Sequence, residues 1–124
     1  MTVKECYEAA VSFLPEKPEE NVEMQKFMVN WCNILLAELM EYENVYRAVN
    51  GIEELLSPLT VSGKEDVIPY NERLVKKAFP YGMARWVFRE NEDIAASHEY
   101  YNLYVFAARE ATPLLESEVM DIYG

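Results

Sequence analysis

Apolar residues recur at spacings of three and four over four stretches of the chain, which is the pattern of amphipathic α-helices. The first stretch opens with a capping box at Thr2 and Glu5 and stops at Pro15. The second is the longest, from Val22 to about Asn44, and neither glycine nor proline interrupts it. We therefore expect two helices joined by a short acidic connection. The buried face predicted for the first consists of Val3, Cys6, Tyr7, Ala10, Phe13 and Leu14.

A proline lies inside the third helical stretch. Asn71, which follows the turn set by Pro69, is a suitable N-cap for this helix. Pro80 lacks a backbone N–H and its ring crowds the preceding turn, so we expect a kink or a short break there. Gly82 falls on the buried face, where the absence of a side chain would let another helix approach closely.

The fourth helix is expected to run from about Asp93 until Pro113 ends it. A helix with two apolar surfaces packs on two sides, and one of those sides could be another subunit. The expected main face consists of Ile94, Ser97, His98, Tyr101, Val105 and Ala108, and the second surface of Tyr100, Leu103, Tyr104 and Ala107.

The remaining segments complete an all-α prediction. Residues 45–69 lose the helical period, but their apolar content favours an ordered loop, with a single helical turn at residues 52–56 as an option. We expect a single domain over residues 1–124, a bundle of about four helices with a long loop between the second and third and a short tail at 114–124. The tail is either a frayed terminus or a peptide that docks onto a partner. Its candidate docking residues are Val119, Met120, Ile122 and Tyr123.

Composition excludes several classes of protein. The net charge is −11, from 22 acidic and 11 basic residues, which argues against a protein that grips nucleic acid. No apolar run approaches the length of a membrane span, so we expect no membrane partner. Cys6 and Cys32 fall on apolar helical stripes and are expected to be small buried side chains.

Sequence signatures of catalysis and metal binding are missing. His98 is the only histidine, which excludes a zinc site built from two or three histidines. We expect it to be a packed residue. No motif for a nucleophile, a metal or a phosphate-binding loop is present. We therefore expect a protein that is not an enzyme, with no catalytic residue, metal or cofactor.

Charge is unevenly distributed along the chain. The third helix carries Arg73, Lys76 and Lys77 near its start, whereas the residues up to Asn44 hold three lysines against nine glutamates. A basic and an acidic face on one small protein suit head-to-tail contact between copies, which closes into a ring when the rotation allows. Pairing of these charges within the monomer is the alternative. The candidate subunit interface consists of Arg73, Lys76, Lys77, Tyr100 and Tyr104.

Two motifs stand out in the second half of the chain, Ile68-Pro69-Tyr70-Asn71-Glu72 and Phe79-Pro80-Tyr81-Gly82-Met83-Ala84, and a helix with spaced alanines and tyrosines follows them. They resemble motifs of the small helical head-to-tail connector (adaptor) proteins of tailed phages and prophages. The resemblance spans most of the chain. The motifs are packing motifs rather than active-site motifs.

The resemblance implies a ring of copies below the portal at the capsid vertex, which extends the DNA channel and joins head to tail. The implied partners are other copies of the chain, the portal protein and a tail or stopper protein, with DNA only as passing cargo. The implied location is the head–tail junction of the virion, assembled in the bacterial host cytoplasm. The loop 45–69 would line the channel or contact the next ring, and the tail would embrace the portal.

A second class of function fits the same composition. A small acidic helical regulator that grips one partner protein through its aromatic face would also carry a tyrosine-rich helix. Such a regulator would be a monomer or a dimer with a defined groove, not a ring.

Overall fold

The computed structural model describes residues 1–15 and 22–112, and this part of the chain contains five α-helices and no strand. The all-α prediction is confirmed, with one helix more than expected. A single bridge between Thr2 and Val67 is the extent of β-pairing in the described residues. The helices are α1 (Val3–Val11), α2 (Val22–Glu38), α3 (Met40–Val49), α4 (Glu72–Glu90) and α5 (Ile94–Glu110).

The predicted capping box starts α1. The Thr2 hydroxyl accepts from the Glu5 N–H at 3.1 Å, and the Glu5 carboxylate accepts from the Thr2 N–H at 2.9 Å. The helix ends at Val11, earlier than Pro15, so Phe13 lies beyond it and is exposed rather than buried.

The predicted second helix is divided in two. Leu39, with φ −99° and ψ 8°, separates α2 from α3, which continues to Val49 rather than ending near Asn44. Hydrogen bonds from the Leu39 N–H to Leu35 and from the Glu43 N–H to the Leu39 carbonyl cross the division. The long loop therefore begins at residue 50, later than predicted.

The central helix is α4, which packs against α5, α1 and α2. The side chain of Asn71 accepts from the Leu74 N–H at 3.0 Å, so the predicted N-cap is confirmed. Of the kink or short break expected at Pro80, the break is absent, because α4 continues through this buried residue. The predicted close approach at Gly82 is confirmed, since a Cβ there would lie 2.7 Å from Leu35 Cδ2 and 2.8 Å from Tyr104 Cε1.

The core face of α5 differs from the one expected. Of the expected main face, Ile94, His98 and Tyr101 are exposed, whereas Ser97 and Ala108 are buried as predicted. The core instead receives the Tyr104 ring, because Gly82 leaves room for it on α4. The buried residues of α5 are Ser97, Tyr104, Ala107 and Ala108.

Side chains of α2 and α3 hold the loop of residues 50–71. Asn33 bonds both backbone groups of Val61, with its Oδ1 2.8 Å from the Val61 N and its Nδ2 3.0 Å from the Val61 O. Asn44 does the same for Leu55, at 2.6 and 3.0 Å. Each side-chain amide thus satisfies the backbone N–H and C=O of one loop residue, as a neighbouring β-strand would. The optional helical turn at residues 52–56 is not present.

The far end of the loop is fixed by buried groups. The Glu43 carboxylate, 2% exposed, accepts from the Asn71 N–H at 2.5 Å and from Arg47 Nε at 3.0 Å. The Tyr70 hydroxyl donates to the Leu36 carbonyl. These contacts confirm an ordered loop and set the position at which α4 begins.

Candidate subunit interface

An open groove of about 780 Å³ runs between the end of α1, the first half of α4 and the last turns of α5. Pro80 and Ala107 lie among its apolar lining residues, and Ser12 and Glu110 are polar residues of the lining. Of its large apolar residues, Phe106 is the most exposed, at 62%. The other large apolar residues of the wall are Phe13, Tyr81 and Leu103.

Stacked aromatic rings form one wall of the groove and continue into the protein. Phe13 stacks on Tyr81 and on Tyr100, with ring centroids 5.4 Å apart in both pairs. Tyr100 stacks in turn on Phe88 at 5.0 Å. Such pairs stabilise beyond their buried area, and they fix the segment after α1 against α4 and α5. Phe13, on the groove wall, is therefore packed against both helices.

Two lysines of α4 line the groove and make it basic. Lys76 forms an i,i+4 ion pair with Glu72 at 2.5 Å, but both side chains are mostly exposed, so the pair is weak. Within the described residues, Lys77 has no ion-pair partner. Arg73 donates to the Glu110 carbonyl at 3.4 Å. Two ammonium groups thus flank an apolar wall.

The candidate interface residues do not all share this surface. Lys76 and Lys77 line the groove, and Tyr100 reaches it through the stacked rings. Tyr104 is only 2% exposed and its hydroxyl donates to the Glu38 carboxylate at 3.1 Å. Tyr104 is therefore a core residue and is not available for a contact with another subunit. Sequence reasoning placed Phe13 on the buried face of the first helix and did not single out Phe106, so it missed both as residues of the groove.

Two further basic residues of α4, Arg85 and Arg89, line a second cleft instead of the groove. Arg85 lies between the Trp86 and Tyr101 rings, 4.5 and 4.6 Å from their centroids, and its guanidinium is 3.6 Å from the Glu38 carboxylate. Arg89 lies over the outer part of the same cluster, 5.6 Å from the Trp86 ring. The basic residues of α4 therefore form two patches, and the second is neutralised in part by Glu38.

The described residues contain no convergent set of metal ligands. Nowhere in residues 1–15 and 22–112 do three His, Cys, Asp or Glu side chains meet in a way that could hold an ion. His98 is exposed in the second cleft instead of packed. Burial raises the pKa of the Cys32 thiol to about 12, and the pKa of the Cys6 thiol well above its usual value. Both cysteines are free and buried, as predicted.

The tip of the long loop is the most exposed apolar feature of the described chain. We define the loop tip as residues 53–56. Its Leu56 is 98% exposed, while the adjacent Leu55 backbone is held by Asn44. The carbonyl of Glu53 accepts from Arg47 Nη1 at 3.1 Å. An exposed leucine is thus presented on a fixed backbone.

Two further expectations concern the membrane and the tail. No helix of the described residues combines the length and the apolar character needed to cross a membrane. The candidate docking residues Val119, Met120, Ile122 and Tyr123 lie outside the described residues.

Comparison of the chain with family models, with curated proteins and with solved structures finds no match.

Proposed function

We propose that the protein is a structural component of a tailed-phage virion, a head-to-tail connector whose copies form a ring below the portal. The observation that supports this best is the groove between α1, α4 and α5. It is apolar and carries Lys76 and Lys77, on a chain whose net charge is −11. A local basic patch on an acidic protein is electrostatically complementary to the acidic surface of another copy of the same protein.

The two motif segments serve packing, which agrees with the resemblance. Tyr70 of the first motif is hydrogen-bonded to Leu36, and Gly82 of the second lies against Leu35 and Tyr104. Neither segment presents a catalytic constellation, so the proposed role is assembly and not catalysis.

The proposed ring has the portal protein on one side and a tail or stopper protein on the other, at the head–tail junction. Its overall acidity suits a channel wall, because like charges keep DNA phosphates from binding to it. DNA is then a passing cargo and not a ligand.

The alternative is a small acidic regulator that binds one partner protein. The same groove favours it, since an apolar wall flanked by lysines also accepts an acidic amphipathic helix. This alternative requires one occupied groove per molecule and no closed assembly.

Electron microscopy of the purified protein at high concentration tests the proposal. The connector predicts end-on views of closed rings with a central opening. A field without rings, together with a stable dimer in solution, would favour the regulator and contradict the connector.

A further inference from the structure

We propose that the loop tip of one copy docks in the groove of the neighbouring copy. The inference rests on the proposed ring and names the contact that builds it. Leu56 enters the apolar groove between Phe13 and Phe106, and the carboxylates of Glu53 and Glu54 face the lysines of α4.

The loop tip is built as a projection. Leu56 is 98% exposed, although transfer of a leucine side chain out of water is favourable. The segment around it does not need ordering on docking, because Asn44 bonds both backbone groups of Leu55 and Arg47 bonds the Glu53 carbonyl. A side chain held ready in this way loses little conformational entropy on binding.

The groove matches this projection in shape and charge. Its apolar walls have room for a leucine side chain, and Phe106 is 62% exposed there in the single chain. Lys76 and Lys77 provide two positive charges against the two negative charges of Glu53 and Glu54, and they outnumber the single carboxylate of Glu110 in the groove lining. Both lysines are exposed, so Lys76 can exchange its weak pair with Glu72 for a new partner.

A loop tip that occupies the groove must come from another copy. None of the loop-tip residues lines the groove of its own chain, and the hydrogen bonds to Asn44 and Arg47 hold the tip beside α3. The two complementary surfaces are different parts of one chain, so their contact is head-to-tail. Each copy then makes the contact twice, once with each neighbour, as in a ring.

Cysteine cross-linking between two variants tests the contact. Leu56→Cys and Phe106→Cys, carrying tags of different size, are mixed and oxidised at high concentration. The native thiols are buried with raised pKa values, so the introduced cysteines react first. We expect the mixed disulfide at a yield at least about tenfold above that of a control mixture of Ile94→Cys with Phe106→Cys, since docking raises the local concentration.

The substitution Leu56→Ser gives a second readout in the protein without cysteine changes. We expect it to weaken self-association about tenfold or more, whereas Ile94→Ser, which removes an equally apolar exposed residue, leaves association unchanged. Equal effects of the two substitutions, or equal yields from the two mixtures, would overturn the inference.

The outcomes separate this contact from the ring. If the wild-type protein forms rings but the Leu56→Cys and Phe106→Cys variants do not cross-link, the contact is overturned and the connector proposal stands. The specific cross-link in open chains that never close would support the contact and overturn the ring. Homodimers of Leu56→Cys alone would show that two loop tips meet each other, which also overturns the docking.

Discussion

At the scale of single residues, Gly82 is the position where the packing of three helices is decided. It is the place where α4 approaches both Leu35 of α2 and Tyr104 of α5. The helical spacing of the sequence predicted this approach, although it did not reveal which tyrosine would fill the space. Tyr101 and Tyr104 are both apolar enough for the core. The rotation of α5 about its axis decides which of the two rings is buried.

Replacing Gly82 with alanine is expected to destabilise the protein by about 1–3 kcal/mol, because the new methyl group would lie under 3 Å from Leu35 and Tyr104. This figure is the net effect, after the gain in helix propensity of about 1 kcal/mol. Urea unfolding measures it. Gly63→Ala is the matched control, since nothing lies within 4 Å of its Cβ position. A Gly82→Ala protein as stable as the wild type would contradict the close approach.

The buried hydroxyl of Tyr70 and the buried thiol of Cys32 make the stability of the protein sensitive to alkaline pH. Burial raises the pKa of Tyr70 to about 12, from a usual value of 10.0, and that of Cys32 to about 12, from 9.0. The folded state therefore keeps protons that the unfolded state loses, so stability is complete below pH 9 and falls as the pH rises toward 12.

Urea midpoints measured from pH 8 to pH 12 check this dependence. Tyr70→Phe is expected to lower stability at pH 8 but to flatten the fall above pH 10. Tyr46→Phe, which changes an exposed tyrosine, is the control and should keep the wild-type slope. A midpoint independent of pH up to 12 would contradict the burial of these groups.

At the scale of elements, the long loop is the segment that behaves least like its sequence. Its breakers and weak period predicted a loop, and its apolar residues an ordered one. The means of ordering were not visible, because Asn33 looks like a polar surface residue of a helix. Only the fold shows that it and Asn44 bond the backbone of residues far along the chain.

Removing one amide should release one part of the loop. Asn44→Ala is expected to accelerate hydrogen exchange at the Leu55 amide and leave the Val61 amide protected, at a cost of about 1–2 kcal/mol. Asn33→Ala is the reciprocal control and should expose Val61 alone. Equal acceleration at both amides in either variant would show that the loop opens as one unit.

Helix boundaries show where sequence reasoning succeeds and where it fails. The caps at Thr2 and Asn71 were readable because hydroxyl and amide side chains have few other reasons to stand before an apolar period. The division at Leu39 was not readable, since no glycine or proline marks it. Of the kink or short break expected at Pro80, the break is absent, and α4 is helical through this buried residue, in a helix that packs on three others.

At the scale of the whole molecule, the groove and the loop tip explain how an acidic chain could bind itself. The charge imbalance was visible in the sequence, but its division into two basic patches was not. Arg85 is enclosed by Trp86, Tyr101 and Glu38. The exposed cations of α4 that line the groove are Lys76 and Lys77.

Reversing those two charges should weaken self-association. Lys76→Glu with Lys77→Glu is expected to reduce the association constant about tenfold or more, and added salt should weaken the wild type in the same direction. Lys26→Glu with Lys64→Glu changes the net charge equally and is the control. Glu53→Lys with Glu54→Lys, mixed with the first variant, should restore association. Failure of that rescue would show that these charges do not meet.

The absolute mass of the wild-type protein, measured by light scattering from micromolar to millimolar concentration, tests the central claim most directly. The connector account predicts growth from the 14.4 kDa chain to one closed species of many copies, whose mass stops rising once the ring is complete. A monomer or a tight dimer at every concentration would contradict it.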